Sequence, residues 1–402
     1  MKTVSFFLRS LCALLIPLIT VASHPFLSPS VPLPDSVLLA KGDHTSSPLS
    51  PLSPPDFDPA VCPHNHQSTE IVRQLSATQS GLKQRACLDC GNVLEEKTIS
   101  TLTGQYAYSY DQIKEILLGF HEHFGLSYES IGTTVEGRDI YVYRLGSTDA
   151  PHHVLIHAGI HGKEYMNTAL LLNLTEYYVL NGNRLFRGKK LSSYLKDVCF
   201  HIIPSANPDG AVISRTRTLS ADRIQSILLD NGVPRSKVPV YLRYWKSNAA
   251  GVDLNRNFDA GWDIIDDNRG HPSYSHYKGP TVASEPETKA LIDYTFSYPF
   301  NATISYHSFG SEIYWKYGND RTLQKKCYQL YSAVYSVTGY PEVETDNPAQ
   351  GGYKDWAILQ GIPSLTIETG INPAPLPDYE YKDIFKRNRY VFAAVAAWVK
   401  TQ

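Results

Sequence analysis

The stretch VLIHAGIHGKE, residues 154–164, decides the fold class. It begins with apolar, mostly branched residues typical of a buried strand, passes through a glycine-bearing turn and leads into the apolar segment 165–180, which predicts a helix. Open α/β sheets place their sites at the carboxyl ends of strands, where His161 and Glu164 stand. Their spacing suits one metal ion or a surface ion pair, and alone it leaves both open. His157, inside the strand, is expected to be a packed core residue.

Similar patterns alternate along the rest of the chain. Strands are predicted at 139–145, 154–157, 198–203, 302–306 and 364–367, and helices at 165–180, 284–298, 321–338, 353–359 and 383–399. Ser109 and Gln112 form a capping-box pattern that predicts a first helix ending at Gly125, and Ser284 is expected to cap the helix at 284–298. The patterns predict one α/β domain over residues 102–402, with a mixed, largely parallel twisted sheet flanked by helices on both faces.

The first hundred residues divide by composition. Residues 1–22 combine a basic start, an apolar core and small residues at the expected cleavage point, which predicts a signal peptide and a secreted, extracellular protein without a membrane anchor. Residues 23–60 are rich in proline and serine and are expected to be a disordered spacer. Residues 61–101 carry cysteines and are either a propeptide or an appended segment.

Removal of the signal leaves an odd number of cysteines, so one thiol stays free or pairs with another chain. They are Cys62, Cys87, Cys90, Cys199 and Cys327. Cys87 and Cys90 fit a local disulfide, a redox pair, or half of a metal site with Cys62, His64 and His66. Because an exported chain meets an oxidising environment, disulfides are the favoured expectation.

Charge and missing motifs exclude several functions. The 37 basic and 39 acidic residues give a net charge of −2, so no global field attracts nucleic acid or anionic membranes. The H-E-x-x-H signature of another zinc-protease class and the G-x-S-x-G motif of many serine hydrolases are absent from the sequence. We expect a monomer whose partner is recognised at a local site.

Three further segments place polar residues where a site is expected. The segment GVDLNRNF, residues 251–258, brings together amides, a carboxylate and a guanidinium, whose planar fork suits a substrate carboxylate. His307 and Glu368 each end an apolar strand. A charged group at such a position costs stability unless it is paired or used, so both are candidate site residues.

In their order along the chain, these motifs resemble the zinc carboxypeptidase (funnelin) family over nearly the whole of residues 103–402. The shared motifs are H-x-x-E at 161–164, N-P-D-G at 207–210, G-V-D-x-N-R-N-F at 251–258, S-E-P-E at 284–287, His-Ser at 307–308, G-G-x-x-x-W at 351–356 and the strand-terminal Glu368. The resemblance implies a peptidase that binds one zinc ion per chain.

The resemblance assigns His161, Glu164 and His307 as the zinc ligands and Glu368 as the general base and acid. Two histidines and one carboxylate leave a fourth position for water, as in catalytic zinc sites. Asp253 resembles the acid that contacts the first histidine ligand and sets its tautomer.

The resemblance also assigns Asn255 and Arg256 to a carboxylate of the substrate. Two positions depart from the digestive carboxypeptidases. Lys246 stands where those enzymes have an oxyanion-stabilising arginine, so that role is predicted for Lys246 or Arg243. Asn347 stands where they have a substrate-capping tyrosine, and Tyr353 is the candidate substitute.

Three segments, at residues 161–166, 245–258 and 351–356, resemble the γ-D-glutamyl-meso-diaminopimelate peptidases, or murein peptide amidases and endopeptidases, more than the digestive enzymes. This similarity implies a secreted zinc metallopeptidase that cuts cell-wall muropeptides between γ-D-Glu and the diamino acid. One alternative is a metallocarboxypeptidase that removes C-terminal residues from protein-derived peptides. Another is a catalytically silent protein that binds wall peptides.

Lys354 is the residue expected to recognise the substrate side chain. In the family, its position lies in the pocket for the residue beyond the cut bond. Its ammonium group is predicted to attract the extra carboxylate of meso-diaminopimelate. The alternative is that Lys354 pairs with Asp355 or is solvated.

Overall fold

The computed structural model describes residues 62–73, 81–99, 106–217, 222–343 and 350–402. The predicted signal peptide, the predicted spacer and Asn347 lie outside these residues. Across the described ranges, no helix combines the length and the apolar character needed to cross a membrane.

The described residues form twelve strands and eleven α-helices. The strands are β1 (Gln67–Arg73), β2 (Gly81–Cys87), β3 (Val93–Ile99), β4 (Tyr128–Thr133), β5 (Asp139–Leu145), β6 (His152–Ala158), β7 (Leu185–Phe186), β8 (Lys189–Lys190), β9 (Val198–Ile203), β10 (Phe300–His307), β11 (Glu312–Tyr314) and β12 (Ser364–Glu368). The helices are α1 (Tyr110–Phe124), α2 (Met166–Leu180), α3 (Leu191–Tyr194), α4 (Pro208–Thr216), α5 (Asp222–Asp230), α6 (Val238–Arg243), α7 (Pro286–Ser297), α8 (Arg321–Thr338), α9 (Tyr353–Leu359), α10 (Tyr381–Asn388) and α11 (Val391–Val399).

A seven-stranded sheet occupies the centre of the catalytic domain, in the order β11-β12-β10-β6-β9-β5-β4. The four inner strands β12, β10, β6 and β9 run parallel to one another. The outer strands β11, β5 and β4 pair antiparallel with their neighbours. This arrangement confirms the predicted mixed, largely parallel sheet.

Helices pack on both faces of this sheet. On β6, Val154 and Ile156 join a core cluster with apolar residues of α1, α2, α8 and α11, while Leu155 joins a second cluster with residues of α7 and α9. Successive side chains of a strand point to opposite faces, so the inner strands must be apolar on both. Burial of each such side chain contributes about 1.5–3 kcal/mol, which holds the strand ends in fixed positions.

Most predicted elements are found, with two corrections. The capping box of α1 is confirmed, since Ser109 and Gln112 exchange hydrogen bonds of 2.9 and 3.1 Å. Ser284 does not cap α7, because its hydroxyl donates to the Glu285 carboxylate instead. The predicted helix at 383–399 is two helices, and the break follows Asn388, whose buried amide donates to the carbonyl of the preceding turn.

Residues 62–99 contain a separate three-stranded antiparallel sheet, in the order β1-β2-β3. The sequence predicted no strands here, because short polar strands carry little periodic signal. The expected disulfides are absent from the described residues, where all five cysteines are unpaired.

Candidate active site

Three neighbouring parallel strands bring the predicted site residues to one edge of the sheet. His307 and Glu368 are the last residues of β10 and β12 and are paired in register. His161 lies three residues beyond the end of β6, on the other side of β10. Residues far apart in sequence therefore meet because parallel strands end at a common edge.

The turn after β6 is held by the N-P-D-G segment at the start of α4. The Asn207 amide donates to the carbonyls of Ile160 and Ser247, each at 3.1 Å. Gly162 packs directly on Gly210, and a Cβ at Gly162 would lie 2.3 Å from the Gly210 carbonyl carbon. A Cβ at Gly210 would lie 2.5 Å from the Asn207 side chain and from the Ser247 carbonyl oxygen, so both positions favour glycine in the turn that carries His161.

The side chains of the three predicted metal ligands converge. The Nδ1 atom of His161 lies 2.8 Å from Glu164 Oε1, the Nδ1 atom of His307 lies 3.1 Å from Glu164 Oε2, and the two Nδ1 atoms are 3.2 Å apart. All three side chains are buried. Ligands on a tetrahedral zinc with bonds of about 2.0–2.1 Å are about 3.4 Å apart, so these residues fit a zinc ion and leave its fourth position open.

A buried carboxylate lies behind the first histidine. His161 Nε2 is 3.3 Å from Asp253 Oδ1, and Asp253 Oδ2 accepts a hydrogen bond of 3.0 Å from the His276 amide. Burial raises the pKa of Asp253, but His161 and Lys246 outweigh it and hold this pKa well below its usual range. An ionised carboxylate at Nε2 favours the tautomer that turns the Nδ1 lone pair toward the metal position.

A polar network that the sequence did not predict supports the other ligands. The Asn167 amide donates to the His307 carbonyl at 2.8 Å, and the Thr369 hydroxyl donates to the Asn167 carbonyl oxygen at 2.7 Å. The Ser308 amide donates to Glu164 Oε2 at 3.2 Å. The available signal in the sequence was the carboxamide of Asn167 in the first turn of a mostly apolar helix.

The metal group opens into a cavity of about 210 Å³. Its lining residues are His161, Lys246, Asn255, Arg256, His307, Tyr314, Lys316, Val343, Gly352, Lys354, Asp355, Thr366 and Glu368. Most predicted site residues therefore share one cavity. Tyr314 and Lys316 belong to it without having been predicted, because β11 carries too few residues for a pattern.

Glu368 faces this cavity with no protein partner for one oxygen. Its Oε2 atom is buried and has no hydrogen-bond partner among the described residues. Burial first, and then the charge of Glu164, raise the pKa of Glu368 well above its usual range. A carboxylate in this position can exchange a proton with water or substrate in the cavity.

Two predicted site residues lie elsewhere. Tyr353 is completely buried, its hydroxyl is bonded to Thr295 Oγ1 at 2.8 Å, and its ring packs edge-on against His157 at 4.5 Å. Its prediction as a substrate-capping residue is therefore wrong. The first turn of α9 points its ring into the core, and Tyr314 is the tyrosine that lines the cavity.

The prediction for Arg243 is corrected in the same way. Arg243 is the exposed last residue of α6, its guanidinium lies 6.0 Å from the Tyr244 ring, and it does not line the cavity. Lys246 does line the cavity, because the chain turns back toward the sheet after α6. Of the two candidates, only Lys246 is brought to the metal group.

His157 fits its predicted place in the core. It is completely buried, its Nε2 atom lies 2.7 Å from Ser305 Oγ, and burial lowers its pKa to about 3. A neutral, hydrogen-bonded histidine in the interior is a structural residue.

Lys354 is both in the cavity and paired. Its Nζ atom forms an ion pair with Asp355 and donates to the Lys316 carbonyl at 3.1 Å. Both side chains are almost fully buried yet contribute to the cavity wall. The cavity thus presents a cation and an anion side by side.

Asn255 and Arg256 form another part of the wall. Asn255 Oδ1 accepts the Tyr353 amide at 3.1 Å, which orients its carboxamide. The guanidinium of Arg256 binds both oxygens of Asp267, with Nη2 to Oδ2 at 3.0 Å. Asp267 therefore holds the guanidinium of Arg256 in place at the cavity wall.

A different group of possible metal ligands, His153, Cys199 and His201, has a structural explanation. His201 uses both ring nitrogens, with Nε2 2.9 Å from His153 Nδ1 and Nδ1 2.7 Å from the Tyr294 hydroxyl. Arg144 lies beside them, and its charge lowers the pKa of His201 further, after burial. Because the hydrogen bonds of His201 are satisfied and Arg144 carries a positive charge beside it, this group does not favour binding of a metal cation.

This fold and this site define a zinc metallopeptidase of the carboxypeptidase type. The chain belongs to the zinc carboxypeptidase family, whose model matches residues 123–388. It is 26% identical to a γ-D-glutamyl-L-diamino acid endopeptidase of Lysinibacillus sphaericus, over 73% of each protein. It is 29% identical to carboxypeptidase B of Rattus norvegicus, over 67% of this chain and 65% of the relative. The crystal structure of a carboxypeptidase A from Helicoverpa armigera shares the fold, with a TM-score of 0.54, 23% identity and coverage of 73% and 75%.

Proposed function

We propose that the protein is secreted and hydrolyses peptidoglycan-derived peptides at the bond between γ-D-Glu and meso-diaminopimelate. The Lys354–Asp355 ion pair in the cavity wall carries this proposal. The far end of a diaminopimelate side chain has both an ammonium and a carboxylate group, whereas lysine has only the ammonium. The ion pair offers one partner for each of the two charges.

The proposed chemistry divides among residues of one cavity. His161, Glu164 and His307 would hold the zinc ion, which when bound would supply an activated water and polarise the scissile carbonyl. Glu368 takes a proton from the attacking water and passes it to the leaving nitrogen. Lys246 stabilises negative charge on the carbonyl oxygen, and Asn255 with Arg256 binds the substrate's terminal carboxylate.

The relative from Lysinibacillus sphaericus supports this substrate, because its name describes cleavage between γ-D-glutamate and a diamino acid. The similarity to carboxypeptidase B supports the alternative, removal of C-terminal residues from protein-derived peptides. The two candidate substrates differ at the residue before the cut bond, which is γ-linked D-glutamate in the muropeptide and an α-linked L-residue in the protein-derived peptide.

The test uses three substrates: L-Ala-γ-D-Glu-meso-diaminopimelate, its L-lysine analogue, and an α-linked L-peptide ending in lysine. We expect kcat/KM of the wild-type enzyme to be highest for the first. Lys354→Met should lower kcat/KM about 10-fold for the diaminopimelate peptide and little for the lysine analogue, since only the former loses a charge partner. Asp355→Asn should lower both, because both substrates carry the ammonium.

Both variants break a buried pair, so their thermal unfolding must be compared with that of the wild type. Equal losses on the two γ-linked peptides in a folded Lys354→Met enzyme would refute recognition of the side-chain carboxylate. Faster turnover of the α-linked peptide by the wild type would refute the substrate and leave the metallopeptidase assignment intact.

A further inference from the structure

A second cluster of metal-binding side chains lies in the three-stranded sheet. Cys62, His64, Cys87 and Cys90 each offer one atom, and all four atoms lie within 4.8 Å of one another. Cys62 and His64 precede β1, whereas Cys87 and Cys90 bracket the tight turn between β2 and β3. Two chain segments are thus joined at one point.

The distances in this cluster suit a tetrahedral ion. Cys62 Sγ lies 3.5 Å from Cys87 Sγ, and Cys90 Sγ lies 3.4 Å from His64 Nδ1. Zinc bonds of about 2.3 Å to sulfur and 2.0–2.1 Å to nitrogen place two sulfurs about 3.8 Å apart and a sulfur and a nitrogen about 3.6 Å apart. A disulfide between two of the cysteines would leave the third thiol and the imidazole unexplained.

The backbone around the cluster is arranged for thiolates. The His64 amide donates to Cys62 Sγ at 3.4 Å. The turn closes with a hydrogen bond of 3.0 Å from the Gly91 amide to the Cys87 carbonyl, and Gly91 has a φ of 71° that favours glycine.

Few of the described side chains of this sheet are buried. Among the side chains described in residues 62–96, only Cys62 and Cys87 are buried, and none belongs to a hydrophobic cluster. Leu88 and Val93, the large apolar residues near the turn, are exposed. Segments of about 40 residues or fewer usually need a metal or disulfides in place of a core.

We propose that Cys62, His64, Cys87 and Cys90 bind a second, structural zinc ion. The site is closed, with four protein ligands and no position for water or substrate. Its binding releases the thiol protons and joins the segment before β1 to the β2–β3 turn, so the metal stabilises the fold of the small sheet. Catalysis at the strand ends does not involve it.

The neighbouring His66 provides a matched control. His64 Nδ1 faces the cluster, whereas the exposed His66 places its Nδ1 atom 3.1 Å from Asp89 Oδ1. The two histidines are two residues apart on the same segment, but His64 contributes a ring nitrogen to the clustered ligand atoms and His66 does not. If substitution of His64 lowers the zinc content and substitution of His66 does not, the loss results from removal of a metal ligand.

The experiment measures zinc per chain by elemental mass spectrometry in the full-length protein as expressed, purified without chelators. We expect two zinc ions in the wild type, one in Cys90→Ser, a reduced second equivalent in His64→Gln, and two in His66→Gln. His307→Ala should lose the other equivalent. The thiol count in denaturant with chelator should be the same before and after chemical reduction.

Cobalt substitution of the wild-type protein tests the site without a variant. Binding of the second cobalt should produce a thiolate-to-metal charge-transfer band, which the histidine and carboxylate ligands of the catalytic group cannot produce. One zinc per wild-type chain, lost entirely in His307→Ala, would overturn the proposal. Two additional thiols after reduction would overturn it in favour of a disulfide.

Discussion

The two metal-binding clusters of this protein are built in opposite ways. The group of His161, Glu164 and His307 lies at the end of a seven-stranded sheet with core clusters on both faces, and it opens into a cavity. The group that contains Cys87 and Cys90 lies in a small sheet where, among the described side chains of residues 62–96, only Cys62 and Cys87 are buried. In the first the protein core positions the ligands, and in the second we expect the metal itself to join the segments that carry the ligands.

The difference in ligands follows the difference in surroundings. Two imidazoles and one carboxylate leave an open coordination position beside Glu368, whereas three thiolates and one imidazole complete a tetrahedron. The open group is expected to keep its protein framework when the metal leaves, because apolar burial holds β6, β10 and β12. The closed group is expected to lose its local fold together with its metal.

Removal of a ligand from the open group should give the largest effect. His307→Ala is expected to abolish zinc binding there and to lower turnover by ~10³-fold or more, since zinc supplies several kcal/mol of transition-state stabilisation. The far-ultraviolet circular dichroism spectrum should stay close to that of the wild type. Activity assays and zinc analysis check this, and full occupancy of the open group in the variant would show that another residue completes it.

Substitution of Glu368, the proposed proton carrier, should leave zinc bound in both clusters. Glu368→Gln is expected to keep its zinc and to bind substrate, while kcat falls by at least ~10²-fold, because the amide cannot accept the proton. Single-turnover kinetics and zinc analysis of the same preparation make the measurement. Turnover close to that of the wild type would remove Glu368 from the mechanism.

Substitution of Asp253, which contacts the zinc ligand His161, should have a smaller effect than loss of a ligand. Asp253→Asn replaces the buried carboxylate near His161 Nε2 by a nearly isosteric amide, and we expect zinc affinity at the open group to fall about 10–100-fold. Competition with a chelator of known affinity measures this change. The closed group serves as the internal reference, and equal weakening of both groups would indicate a general loss of structure.

A pair of cationic residues tests which side chain stabilises the reacting oxygen. Lys246 lines the cavity and Arg243 does not, so Lys246→Ala is expected to lower kcat about 10-fold or more and Arg243→Ala to change it by less than about 2-fold. Both variants should retain zinc. A larger loss in Arg243→Ala would mean that α6 approaches the cavity when substrate binds.

Local patterns in the sequence predicted many features of the catalytic domain. Ser109 and Gln112 predicted the start of α1, and the apolar run before His161 predicted β6 as an inner strand. The order of motifs implied the ligand set, which the structure gathers around one point. These features depend on spacing along the chain, which periodicity and short motifs record directly.

Other features depend on contacts between distant segments. The direction of Tyr353, the exposure of Arg243 and the support of His307 by Asn167 follow from how helices and loops pack on the sheet. The motif that contains Tyr353 placed it near the cavity, but the rotation of α9 directed its ring into the core. Sequence spacing does not specify such a rotation, because both faces of α9 carry large side chains.

The sequence by itself determined the α/β architecture, the family and the residue types at the catalytic strand ends, because these follow from apolar periodicity and from residues at fixed spacing. Only the tertiary structure decided which polar residues share the cavity and that Lys354 stands in it already paired with Asp355. It also selected the grouping of Cys62 and His64 with Cys87 and Cys90, which the sequence had left as one of three alternatives. Pairing of strands sets such distances, and pairing is a property of the whole sheet.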